Sequence, residues 1–365
     1  MSPLLLDVEG AFDVGHADSS GLMVLFTIGY ALSMIMSGFV SQRMTHRRLI
    51  PFAAGVGAAG TLVLSLAVSM TMMRIGLFIF GAGFGLFAPT GINMITTVVR
   101  RDDWQKALSI NELSPHAGMI LAPLLVAAFR PVLPWRWVFG MLAILFVVVG
   151  IVFVLRVKAG ESHGQAPSFR LLKELVGRPA FWLLIVFFSL ALSGTDGVYL
   201  VIPTFLITEA GIDPRIANTV FGLSRFMPII SLSVAAFLFD RFGPRITIAF
   251  ALVGSGLTIV ILGFGGRALQ IFMVFLQPAI GALYFPAGFA AASSLLPAES
   301  RNIGLSMILP IAVVLGVGVL PAAVGYMGEV SSFARGFVIL GATTIVLGSS
   351  SLFVRFYDAH PVRSE

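Results

Sequence analysis

The sequence predicts an all-α integral membrane protein made of two related helical bundles, and three observations carry that expectation. Hydrophobic residues make up 58% of the 365 positions and charged residues 11%, with a mean hydropathy of +0.99, whereas a soluble domain averages about 45–50% apolar and about 25% charged. A water-soluble fold has too little polar surface to cover such a chain. The apolar residues fall into runs long enough to cross a bilayer, and two stretches of sequence recur at nearly the same offset.

A helix needs roughly 20 apolar residues to cross the hydrocarbon core, and irregular backbone is not tolerated facing lipid. Eleven runs meet that demand: Gly21–Val40, Leu49–Val68, Ile75–Val99, Ala107–Phe129, Trp137–Leu155, Phe181–Ile207, Ala217–Phe239, Ile246–Gly265, Leu269–Leu296, Gly304–Met327 and Phe333–Phe353. Orientation follows from the excess of Lys and Arg in cytoplasmic loops. With Arg43, Arg47 and Arg48 inside, regular alternation places sixteen cations inside and six outside, and one, Arg225, within a span. The acidic N-terminal segment, with Asp7, Glu9, Asp13 and Asp18 and no cation before residue 43, then falls outside. It lacks the basic start of a secretory signal.

The longest polar interruption, Arg156 to Arg178, divides the chain. It predicts an N-terminal bundle over 1–155 with five spans, a cytoplasmic linker over 156–179 with a short interfacial helix near Phe169–Val176, and a C-terminal bundle over 180–365 with six. The two sides repeat. "GLFAPTGINMITTVVRRDDWQKALSI" from Gly85 overlays "ALYFPAGFAAASSLLPAESRNIGLSM" from Ala282, pairing Pro89 with Pro286 and Gly91 with Gly288, and "SQRMTHR" from Ser41 overlays "FDRFGPR" from Phe239. The second half has a span at Phe181–Ile207 with no counterpart in the first, so a first helix is expected to be missing from an ancestral six-plus-six plan.

The loop after the first run reads Gly38-Phe-Val-Ser-Gln42-Arg43-Met-Thr45-His-Arg47-Arg48. It resembles the signature of the major facilitator superfamily between its second and third helices, Gly-x-x-x-Asp-Arg/Lys-x-Gly-x-Arg/Lys-Arg/Lys. Gly38, Arg43, Arg47 and Arg48 match, while Gln42 replaces the Asp and Thr45 the Gly. The second-half copy keeps Asp240, Arg241, Gly243 and Arg245. Pro134–Phe139 also looks like that family's aromatic entry to its sixth helix. The resemblance implies the major facilitator fold, a cytoplasmic gating role for these eight residues, and secondary transport of a small solute through the cell membrane by alternating access, with a cytoplasmic linker and C-terminus.

Ionisable groups inside a span cost several kcal/mol unless paired or hydrated, which makes each a functional candidate. Arg225 lies about ten residues into its helix, roughly 15 Å deep. There a guanidinium can grip a carboxylate in bidentate fashion, or it can be a structural partner of Asp196. Asp196, in Ser193-Gly-Thr-Asp-Gly197, is read either as a proton-coupling carboxylate on the helix that resembles the family's pathway-lining seventh, or as a solvated residue near the outer mouth. Glu112 and His116 share a helix face and could relay a proton; alternatively Glu112 pairs with Arg100, Arg101 or Lys106. Asn93, Tyr199, Gln277 and Tyr284 are hydrogen-bonding groups on the runs resembling pathway helices, candidate substrate contacts or packing residues.

Arg225 as the sole mid-membrane cation favours a small organic anion, coupled to protons or exchanged. Efflux of hydrophobic cations centred on Asp196 is the alternative within transport; a non-transporting sensor, or a membrane-embedded enzyme using His116 and Glu112, are readings of other classes. Clustered rather than one-faced basic residues argue against nucleic acid. No cysteine, no HExxH spacing and no Gly-x-x-x-x-Gly-Lys-Ser/Thr loop argue against thiolate or metal chemistry and bound ATP. No cofactor is expected, and the chain is expected to work as a monomer in the lipid bilayer.

Overall fold

The computed structural model describes residues 2–100, 117–118, 120–129, 132–157, 163, 169–296 and 301–354. Those residues are helical with connecting turns, and nine of their helices are long and apolar enough to cross a membrane. A 3-10 turn and α1 (Leu5–Phe12) lead into α2 (His16–Arg43), α3 (His46–Ser65), α4 (Met70–Val98), α5 (Ile120–Phe129) and α6 (Arg136–Arg156). α3 packs against both α4 and α6, and α2 against α4. Close packing in lipid relies on small residues, because no hydrophobic effect drives helices together there. A side chain at Gly81 would overlap the carbonyl of Phe26, and one at Gly85 that of Tyr30.

α7 (Phe169–Val176) falls where the linker helix was expected, but it is more than an interfacial strip. Leu175 is fully buried in the core with Phe181 and Leu296, and Arg178 donates to Glu174 at 2.7 Å. The second group then comprises α8 (Pro179–Leu192), a π-helical turn (Ser193–Gly197), α9 (Val198–Thr208), α10 (Pro214–Ser224), α11 (Met227–Phe264), α12 (Arg267–Ala282), α13 (Tyr284–Leu295), α14 (Arg301–Val313), a second π turn (Val314–Val319), α15 (Leu320–Val330) and α16 (Phe333–Ser349). The span Pro179–Thr208 is 83% buried and α6 only 11%, so the first lies at the centre of the molecule while the second shows valine, isoleucine and leucine to lipid.

The run Ala217–Phe239, expected as one span, is two helices meeting at Arg225–Phe226. Pro228 follows, and a proline ring displaces the carbonyl four residues back, here that of Ser224. The chain answers with a tight turn, Arg225 N–H to Gly222 and Phe226 N–H to Leu223. Of the expected run Ala107–Phe129, only 117–118 and 120–129 are described.

The two loop motifs turn in different ways. Gly243 bends α11 with φ of 73°, a left-handed conformation natural to glycine. In the first half Met44 and Thr45 are both extended, with φ of −122° and −63°. No positive φ is needed there, which accounts for a threonine at the family's glycine position.

The two groups meet closely on the side that the cation count makes outer. α2 runs along the second π turn and α15, and Gly222 of α10 faces Leu124 of α5. Toward the opposite side a cavity of about 170 Å³ separates them, lined among others by Gly38, Ser41, His46, Asn93, Ser306 and Met307.

Candidate functional site

The site forms where the first π turn passes the break after α10. A π turn carries one residue more than an α turn, so it widens the helix and leaves carbonyls available to side chains. Two are taken. Gln277 Nε2 donates to the carbonyl of Gly194 at 2.6 Å, and Arg225 Nη1 donates to that of Thr195 at 3.0 Å. The same Nη1 lies 3.3 Å from Asp196 Oδ1, so the pairing that the sequence offered as one alternative is present.

The guanidinium also lies on an aromatic face, its carbon 3.7 Å from the Tyr199 ring centre and 5.4 Å from that of Phe221. Cation–π contacts are worth about 2 kcal/mol or more when desolvated. Arg225 is desolvated: its side chain is 9% exposed, against 25% for Asp196. Its Nε is buried and has no acceptor among the described residues.

Tyr199 is held by its hydroxyl. It donates to the carbonyl of Val274 at 2.5 Å, an acceptor whose helical donor would come from position 278, which is a proline without an N–H. The tyrosine fills that vacancy, and its ring face is thereby fixed beneath Arg225. Gln277 is likewise committed, donating also to Ser255 Oγ at 3.2 Å, and its Oε1 is buried without a partner among the described residues. The sequence placed Gln277 among the candidates but not Ser255 or Val274; a proline four residues after Val274 was the available signal.

The other candidates lie apart from this cluster. Tyr284 is fully buried against Phe188, with ring centres 5.1 Å apart, and its hydroxyl has no partner among the described residues. Asn93 and Gly38 line the cavity between the two groups. Of the gating residues, Arg43, Arg48, Arg241 and Arg245 are exposed and Arg47 is half-buried; Arg241 lies 5.8 Å from the Phe242 ring centre, and Asp240 occupies the helix just before the Gly243 bend. Glu112 and His116 fall outside the described residues.

A family model for the Major Facilitator Superfamily matches residues 1–224 and 194–365. The chain belongs to that superfamily. Over 384 aligned residues it is 23% identical to the cis,cis-muconate transport protein of Acinetobacter baylyi, taking in the whole chain and 92% of that protein. Shorter similarities run to the multidrug efflux pump Tap of Mycobacterium tuberculosis, 31% identical over 35% of the chain and 32% of the pump, and to the glucose transporter GlcP of Staphylococcus epidermidis, 27% over 40% of the chain and 35% of that protein. Among solved structures, a bacterial homologue of the human lysosomal transporter Spinster, inward-facing and occupied, superposes with a TM-score of 0.80 at 16% identity, covering 96% of this chain and 91% of the other. The D-xylose-proton symporter gives 0.78 at 15%, covering 96% and 92%. The chain is therefore a multi-pass superfamily transporter and not an enzyme, and the Arg225 cluster lies within a transporter fold.

Proposed function

We propose that this transporter moves a small organic anion, a carboxylate, by alternating access, with Arg225 as the group that grips it and Asp196 as the group that couples transport to protons or to exchange. The observation that carries the reading is the buried guanidinium whose Nε has no acceptor among the described residues while Tyr199 holds its face. An unsatisfied donor buried from water costs roughly 1–3 kcal/mol, and a carboxylate arriving between the bundles removes that cost with two charge-assisted bonds in place of one. Asp196 neutralises Arg225 when no anion is bound and is the more exposed of the two, so an incoming anion competes with it for the same cation. Release of Asp196 leaves a carboxylate free to take a proton. The whole-length similarity to a muconate transport protein agrees in chemistry, since muconate is a dicarboxylate.

Replacing Arg225 tests the grip. Arg225→Lys keeps the charge and loses the fork, so carboxylate uptake into proteoliposomes is expected to fall about tenfold or more, as when one charge-assisted bond of about 1.4 kcal/mol is lost. Uptake equal to the parent would overturn the bidentate reading. Efflux of hydrophobic cations is the second reading, favoured by the greater exposure of Asp196. It requires Asp196→Asn to abolish cation efflux and Arg225→Gln to spare it.

A further inference from the structure

α2 begins at His16 with Gly15 in the capping position, so it has no side chain of its own to accept from its first free N–H groups. The acceptor comes from the other half of the molecule. Glu329, in the last turn of α15, takes the N–H of Ala17 on its Oε2 at 2.9 Å. A side-chain carbon on Gly15 would overlap that carboxylate, so glycine is what admits it. A carboxylate at this end of a helix also meets the positive end of the helix dipole.

Below this cap the two helices stay in close register. Ser20 lies where a side chain on Gly325 would be, and Thr27 where one on Gly318 would be. The spacing is seven residues on each helix, run in opposite directions, which is two turns of antiparallel contact. α2 is braced at the same end from its own side. Glu9 Oε1 accepts from Ser19 Oγ at 2.5 Å and lies 3.0 Å from His16 Nδ1, while the His16 ring stands 5.1 Å from that of Phe333 in the other half. Glu9 fixes the end of α2 within its own half, whereas Glu329 is attached to the other half.

We propose that Glu329 is the latch of the outer gate: a carboxylate from the second half that caps α2 only while the outer side is closed. This rests on the alternating-access reading above. A contact made in one state and broken in the other shifts the population toward the state that has it, by its full worth and no more. An exposed carboxylate at a helix N-terminus contributes enough for about a two- to fivefold shift. Removing it favours the outward-open form.

The chain contains no cysteine, so single thiols can report each side. Thr27→Cys places one at the outer closure, where Thr27 is fully buried, and Ser306→Cys places one on the inner cavity. With a membrane-impermeant maleimide, Glu329→Gln is expected to speed labelling at position 27 from outside and to slow labelling at position 306 from inside, each about two- to fivefold. Gly15→Ala, which keeps the charge and displaces it, is expected to act in the same direction. Unchanged rates at both positions overturn the latch. A rise at both also overturns it, because that is the signature of a loosened fold. Added cis,cis-muconate serves as a separate control on the parent protein: if it changes neither rate, the organic-anion reading fails, while the comparison of Glu329→Gln with parent still decides the latch.

Discussion

The hydroxyl of Tyr199 does two things at once: it supplies the donor that Pro278 cannot give Val274, and it fixes the ring on which Arg225 rests. These can be separated by Tyr199→Phe, which keeps the ring and leaves a buried carbonyl unpaired. A loss of about 1–3 kcal/mol is expected, seen as a lower midpoint of thermal unfolding in detergent, with carboxylate KM changed far less than in Arg225→Lys. Arg225 and Asp196 were legible from sequence, because a charge in an apolar run has few reasons to be there. Tyr199 was legible only as a polar group on the right helix. Its actual acceptor is a backbone carbonyl 75 positions away, and which helix lies across from it is a matter of packing that no local pattern encodes.

Among the elements, the helices that matter most depart from ideal geometry. The π turn at Ser193–Gly197 frees the carbonyls that Gln277 and Arg225 use, and the break before Pro228 places Arg225 at a helix end. Hydropathy drew Ala217–Phe239 as one span because a window average does not register a single proline, although Pro228 in the sequence was a sufficient reason to expect a break. The two glycines flanking Thr195 and Asp196 did signal a weakened helix, without specifying its form. The loop motifs offer a comparison within one molecule. Gly243→Ala forces a side chain into φ of 73° with ψ of 174° and is expected to cost about 1–3 kcal/mol, while Thr45→Gly, at an extended position, relieves no such strain. Thermal unfolding of the two variants side by side checks this, and an equal response would remove the conformational account of why only the second copy keeps its glycine.

For the whole molecule, the two groups are in close contact on one side and a cavity lies between them toward the other. Coupling belongs to this scale, because it concerns which transitions are allowed rather than which contacts are made. If Asp196 carries the coupling proton, Asp196→Asn is expected to abolish accumulation driven by a pH gradient while exchange of labelled for unlabelled anion persists; measuring both modes in one vesicle preparation tests it, and unaltered gradient-driven uptake would exclude Asp196. Membrane class and family were readable in the sequence because apolar run length and the Gly38–Arg48 and Asp240–Arg245 motifs are local features of the chain. The contacts between the halves were not, since they depend on how the two groups pack and on nothing local.

α6 has almost no length to spare. Its 21 residues rise about 31 Å, close to the hydrocarbon thickness of a typical bilayer at about 30 Å, and an arginine stands at each end. Arg136 is tied to the carbonyl of Ala67 and stacked on Trp135, so that end cannot slide to follow the headgroups, leaving Arg156 to take up any difference. Lipids with longer acyl chains therefore meet hydrophobic mismatch first along this helix, and the first half must tilt as a body to relieve it.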